Sequence, residues 1–274
     1  MSNNVITTCR VVRYVDFSKD WYRERIAEMG HTPVQHRKYW EWAAIVQVME
    51  QYILNAVGDT SCYKALGFGV GEEPITAWLA NRQVYVTATD YINDQGGKWK
   101  GQHAKSLSVL SCSGTGPVSQ FLRYARLDNV DMRAIPIEYL AGEFDFVWSA
   151  GSLEHIGGLA AGIRFILNSM RCLRPGGLAI HTTEYNYLSR QDTIDADDLC
   201  LYRKVDLERL AVCLGNQGDE LWELDLSRGN TEWDIDSKYV LNPPYEGSPH
   251  ISIRINDRHV TTSILLVAQR KMLL

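Results

Sequence analysis

The chain has 274 residues, a net charge of −5 and 45% hydrophobic residues, enough to bury a sizeable core and unlike a disordered chain. The acidic balance argues against a dominant nucleic-acid partner, since phosphate binding needs a basic surface. No apolar run approaches the about 20 residues of a membrane span, and the N-terminus lacks the apolar core of a signal peptide. Six cysteines are scattered without a C-x-x-C pair, which suits buried thiols in a cytoplasmic setting better than disulfides or zinc.

In chain order, Asp16–Met29 and Gln35–Val57 read as helices broken by Gly30-His31-Thr32-Pro33. This segment, residues 1–60, is an N-terminal helical extension. It is either a decoration on the sheet or a lid with Arg37, Trp40 or Glu41 toward a ligand. Tyr63–Gly71 follows, a short apolar run with glycines at Gly67, Gly69 and Gly71, then a helix-like segment, then Val84–Ala88 and the acid Asp90. That is a strand, glycine turn, helix, strand and acid, a layout that places a nucleoside against bare backbone with its ribose at the carboxylate. The spacing is G-x-G-x-G, followed by Glu72 and Glu73. Two carboxylates at a helix start would repel a pyrophosphate, so a sulfonium cofactor without phosphate fits better than a dinucleotide.

A third strand closes on Val130–Asp131–Met132, and Phe144–Ala150 is a fourth, buried strand running into Gly151-Ser152-Leu153-Glu154-His155-Ile156. Leu159, Ile163, Ile166, Leu167, Met170 and Leu173 lie at helical spacing, and Leu173-Arg174-Pro175-Gly176-Gly177 stops that helix. Leu178–Thr183 is a fifth strand, Asp206–Leu214 a helix, Leu221–Leu226 a sixth strand and Thr261–Ala268 a seventh. His250–Ile255 alternates and pairs with the seventh as a hairpin.

In this order the glycine loop, Asp90, the Asp131-Met132 pair, L-E-H-I and L-R-P-G-G jointly resemble the class I S-adenosylmethionine (SAM) dependent methyltransferases. The resemblance runs from about Tyr63 to the C-terminus. It implies an α/β, Rossmann-like seven-stranded sheet with helices on both faces and strand seven antiparallel. It also implies a domain over residues 61–274 with a substrate-loop region at about 184–260. Cofactor roles follow from it for Gly67, Phe68, Gly69 and Gly71 (methionine portion), Asp90 (ribose), Tyr91 (beside adenine), Asp131 and Met132 (adenine) and Ser149 (cofactor edge). The family often has an acid where this chain has Ala65, so the methionine ammonium needs another partner: Glu72, Glu73 or a carbonyl.

Methyl transfer is an in-line displacement in which the enzyme positions the acceptor and, for an alcohol, removes its proton. His155, just after strand four, is the candidate base; a scaffold role for L-E-H-I is the alternative. Glu184, Tyr185 and His103 are candidates for acceptor binding. His181, inside a strand, reads as a core residue. The acidic run Asp192, Asp195, Asp197 and Asp198 does not match a calcium loop, and no metal is expected. Asn242-Pro243-Pro244-Tyr245 is the catalytic signature of some amino-group methyltransferases, but it sits between strands six and seven here and reads as a rigid turn.

The finer pattern (G-F-G-V-G-E-E-P, S-L-E-H-I-G, H-T-T-E-Y-N) is similar to bacterial methyltransferases found with glycosyltransferases and polysaccharide assembly. The resemblance thus implies O-methylation of a saccharide hydroxyl, S-adenosylhomocysteine as product, and a homo-oligomer or a glycosyltransferase as partner. Tyr185, Tyr187, Trp233, Tyr239 and Tyr245 supply aromatic faces for a sugar. The alternatives are N- or O-methylation of a small natural product, or a non-catalytic assembly partner on the same fold.

Overall fold

Buried runs at the strand period and apolar stripes at the helical period meet in one mixed sheet. The computed structural model describes residues 5–55, 62–91, 103–112, 116–189, 191–235, 249–256 and 258–272. Five parallel strands form its core: β2 (Lys64–Phe68), β3 (Tyr85–Asp90), β4 (Ala125–Asn129), β5 (Phe144–Ala150) and β6 (Leu173–Asn186). The long strand β10 (His259–Gln269) runs antiparallel against β6, from Thr261 opposite Asn186 to Gln269 opposite Leu178. The order β4-β3-β2-β5-β6-β10 reverses direction between β2 and β5. Open α/β sheets bind ligands at such a switch point, outside the carboxyl ends of the strands.

The expected antiparallel last strand is present, and the sheet carries ten strands among the described residues rather than seven. The N-terminal segment contributes one of them, β1 (Cys9–Val11), which lies on β10 with Arg10 opposite Leu265. Residues 221–226, expected as one sixth strand, instead split around it. β7 (Glu220–Leu221) pairs with β10 and β8 (Leu224–Asp225) pairs with β1. β9 (Ser252–Ile255) forms the expected hairpin with β10. Leu173 begins β6 and does not end the preceding helix, α6 (Gly158–Ser169), which stops a turn earlier. The register passes from Phe144 opposite Leu173 to Phe146 opposite Leu178, so the Pro175–Gly177 stretch forms an irregularity in the strand, with Gly176 at φ +83°.

The N-terminal helices α1 (Asp20–Glu28) and α2 (Arg37–Asn55) pack on each other, and α2 lies on β5, β6 and β10. Their other anchor is α3 (Ile75–Ala80), every residue of which is buried. Trp78 donates its indole N–H to Glu28 at 2.9 Å, and Arg82 reaches Glu28 at 2.8 Å and Glu50 at 3.4 Å. Trp40, fully buried, donates to Asp16 at 3.0 Å. Cys9, Cys172 and Cys200 are buried thiols, each pushed up to about 12 mainly by burial. No helix among the described residues is long and apolar enough to cross a membrane.

Candidate functional site

At the carboxyl end of β2 the chain turns through residues that only glycine accommodates comfortably. A Cβ at Gly67 would run into the Trp148 indole, and Gly69 and Gly71 stand at φ +58° and +53°. A Cβ at Gly69 would also lie 2.8 Å from the Ser152 hydroxyl oxygen, which donates to the Gly69 carbonyl at 2.9 Å. The Gly67 carbonyl accepts from Thr89 Oγ1 at 2.7 Å, and Val70 N–H donates to the Thr89 carbonyl at 3.2 Å. Loop and strand ends are therefore tied together before any ligand arrives.

Asp90, the last residue of β3, is 2% exposed. Its Oδ2 accepts from the backbone N–H of Gly71 (2.9 Å) and Ala104 (2.8 Å). Its Oδ1 accepts from Tyr91 N–H (2.8 Å) and lies 2.7 Å from His103 Nδ1. A carboxylate offers about four acceptor directions, and all are used here. His103 is thus placed on the acid expected to hold a ribose.

These groups open onto a cavity of about 590 Å³ at the switch point. Of the residues singled out from sequence, it gathers Gly69, Gly71, Asp90, Tyr91, His103, Asp131, Met132 and His155. Gly67, Phe68, Ser149, Glu184 and Tyr185 are not among its lining residues, and each has a physical reason to be elsewhere. Gly67 is inside β2 against Trp148. Phe68 is fully buried, edge-on to Phe165 at 5.2 Å. Ser149 is fully buried and bonded to His181 at 2.9 Å, so Ser152 takes its expected place at the cavity edge. Glu184 is 5% exposed and bound by Arg37 at 2.6 Å. Tyr185 is buried in the bridge between β6 and Tyr202. Tyr187 lies under the Arg228 guanidinium and Trp233 beside Tyr14, both outside the lining, so the cavity's aromatic faces are Trp42 and Tyr91. Asn242–Tyr245, Tyr239 and residues 92–102, just before His103, lie outside the described residues.

Helix α2 supplies the wall that the sequence left open. Lys38, Glu41 and Trp42 line the cavity, whereas Arg37 and Trp40 turn to Glu184 and Asp16. The i, i+3, i+4 spacing of Lys38, Glu41 and Trp42 was the available signal, since such residues share one helix face. Glu41 is held by Thr182 at 3.0 Å and Lys38 at 3.0 Å, and accepts from Ser263. Alternation along β6 sends Thr183 the other way, to Glu154 at 3.0 Å. Burial pushes the Glu154 carboxyl up, against the pull of Lys38 and His155. Burial outweighs nothing at Glu184: it raises the carboxyl, but Arg37 and Lys38 prevail and hold it at about 2. Burial alone lowers the core residue His181 to about 3.

His155 Nδ1 lies 2.7 Å from the Asp198 carbonyl. A carbonyl only accepts, so Nδ1 carries the proton and Nε2 is the basic nitrogen, 3.8 Å from Glu154 Oε1. Asp131 is gripped by its neighbour Arg133, with Nη2 2.6 Å from Oδ2, and that bond holds its carboxyl below the usual range. In the acidic run, Asp195 accepts from Leu159 N–H at 2.8 Å at the start of α6, and Asp192 pairs with Arg258 at 2.5 Å. Among the described residues no group of three or more His, Cys, Asp or Glu side chains is arranged to hold a metal ion.

The methyltransferase domain family matches residues 66–181, which begin in β2 and end in β6. No curated protein matches the chain in sequence. Among solved structures, the chain is similar to the citrinin polyketide synthase CMeT domain, with a TM-score of 0.50 and 13% identity over 86% of this chain and 53% of that one. It is also similar to an O-methyltransferase family protein from Burkholderia thailandensis (TM-score 0.45, 12% identity, 86% of this chain and 60% of that one). A third is an S-adenosylmethionine-dependent methyltransferase from Clostridium acetobutylicum ATCC 824 (TM-score 0.46, 13% identity, 85% of this chain and 92% of that one). At these identities the likeness is one of fold, and the chain spans less than two thirds of the length of the first two. Residues 66–181 thus match the methyltransferase domain family, and the strand order with its antiparallel last strand is that of the class I methyltransferase fold.

Proposed function

We propose that the protein methylates a saccharide hydroxyl, with His155 as the base that takes the hydroxyl proton. The observation that carries this reading is the His155–Asp198 bond of 2.7 Å, which leaves Nε2 as the basic nitrogen of a residue lining the cavity that the glycine loop and Asp90 also line. The residues present fit SAM. The Gly69 cradle would be filled by any side chain, Asp90 ends the second core strand, and acidic groups outnumber Lys38 and Arg133 around the cavity, as a sulfonium ligand requires. Bound there, SAM supplies a methyl group on a sulfonium that leaves readily.

The chain's own residues do the rest. The Gly69–Gly71 backbone and Asp90 orient the cofactor, with His103 yielding Asp90 Oδ1 to a ribose hydroxyl. Tyr91, Met132 and Asp131 border the nucleoside end. Trp42 offers a flat apolar face to a sugar ring, and Lys38 and Glu41 beside it offer a donor and an acceptor for ring hydroxyls. Residues 1–60 then act as the acceptor-side wall of a domain formed by residues 61–274, and a glycosyltransferase is the partner class that would generate such an acceptor.

The test is formation of S-adenosylhomocysteine from SAM with a panel of mono- and oligosaccharides. His155→Gln should lower turnover by roughly 10²–10⁴-fold while S-adenosylhomocysteine affinity stays within about 2-fold. Turnover on no saccharide would remove the acceptor class, and turnover unchanged by His155→Gln would remove the base.

A further inference from the structure

We infer that Glu73 is the anion that holds the ammonium group at the methionine end of SAM. The inference rests on the SAM reading of the cavity and assigns a partner that the glycine loop itself does not offer.

Glu73 lines the cavity yet is only 5% exposed. Its Oε1 accepts from the Trp148 indole N–H at 2.5 Å. Its Oε2 has no hydrogen-bond partner among the described residues, and no cation pairs with it there. Of the cations lining the same cavity, Lys38 is drawn to Glu41, Glu154 and Glu184, and Arg133 to Asp131. The charges that Glu73 feels are Asp90 and Glu41, both acidic, and burial with their repulsion raises its carboxyl well above the ordinary range. A buried carboxyl facing other acids is costly to ionise until a cation arrives, and a ligand ammonium beside Oε2 would relieve both burial and repulsion.

The competing partners are already engaged. The Gly67 carbonyl takes the Thr89 hydroxyl, the Gly69 carbonyl takes the Ser152 hydroxyl, and the Val70 carbonyl takes the Glu73 N–H at 3.2 Å. Glu72 also borders the cavity but is exposed, where water screens it. Ala65, fully buried in β2, contributes no charge. The alternative role for Glu73 is a strut for the Trp148 ring, which backs Gly67.

The experiment separates anchor from strut by titrating wild type and Glu73→Gln with two ligands. S-adenosylhomocysteine carries the ammonium; 5′-methylthioadenosine keeps the nucleoside and thioether but lacks it. The Gln amide oxygen still accepts from Trp148, so 5′-methylthioadenosine affinity reports an intact nucleoside site. The expected result is a loss of roughly 10- to 100-fold for S-adenosylhomocysteine with 5′-methylthioadenosine unchanged, the weight of one charge-assisted contact. Equal losses for both ligands, or none for either, overturn the inference in favour of the strut. A des-amino analogue of S-adenosylhomocysteine makes the same deletion from the ligand side on wild type, and binding as tight as the parent overturns the inference without any variant. Failure of wild type to bind either nucleoside would overturn the SAM reading itself, an outcome visible before the variant is made.

Discussion

Arg37 and Glu184 meet at 2.6 Å with both side chains 6% exposed or less, and Thr261 donates to Glu184 at 2.8 Å while Arg37 donates to Ser263 at 3.0 Å. A buried pair of this kind adds little net stability over an apolar one, but loss of one member strands a charge in the interior. Glu184→Ala should therefore lower unfolding stability by about 3 kcal/mol, read from the denaturant midpoint. A loss below about 1 kcal/mol would mean that Glu41, 3.7 Å from the same guanidinium, takes over. The pair also explains why a residue at a strand end, where acceptor binding was expected, contributes structure instead. It joins β6 and β10 to the start of α2, and so sets where Lys38 and Trp42 stand on the cavity. Glu73 is the opposite case, a carboxyl with one oxygen left over among the described residues.

At the scale of elements, β1 is three residues long but occupies the interior of the sheet. Cys9, Val11 and Val12 are at most 3% exposed, and Arg10 and Val11 pair with Leu265 and Ile264 of β10. Without β1, that part of β10 becomes an edge flanked by apolar side chains, a template for pairing with another chain. A truncation that removes residues through Val12 should aggregate and melt earlier than the full chain, as followed by size exclusion and thermal unfolding. A truncated chain that elutes and melts as the full chain does would show that β7 and β8 close the sheet unaided. The same element links α2 to the sheet, because Arg10 reaches Asp16 at 2.6 Å and Asp16 holds Trp40.

At the scale of the whole molecule, acid should loosen the fold before it protonates the surface. His36 and His250 stack with centroids 4.4 Å apart and join the start of α2 to the segment before β9. Burial, and then neighbouring charge, lowers each from 6.5 to about 4. A histidine lowered in the folded state favours the neutral form, so its contribution is complete above about pH 6.5 and lost as pH falls through about 4. Glu184, held at about 2, adds a loss between its ordinary 4.5 and 2. Asp16, Glu73, Asp145 and Glu154, raised chiefly by burial, work in the other direction and cost stability as pH rises. The melting temperature should therefore fall between about pH 6.5 and 4, with His250→Gln flattening the fall. An unchanged slope in that variant would assign the acid sensitivity to other groups, His181 first.

What the sequence determined by itself was the local part of the site. Gly69 and Gly71 need positive φ, a demand confined to single residues, and Phe144–Ala150 is buried on both faces, so its apolar run ends where the strand does. Asp90 ends β3 and His155 lies in the turn after β5, so the strands place them. Contacts between residues far apart in sequence were decided by the tertiary structure alone. No local pattern says that Arg10 will lie opposite Leu265, that Arg37 will neutralise Glu184, or that Ser149 will bond His181 while Ser152 reaches Gly69. The choice between Glu72 and Glu73 is of the same kind. Adjacent carboxylates look alike in a sequence, and both border the cavity, but the packing of Trp148 behind the glycine loop buries Glu73 and leaves Glu72 exposed.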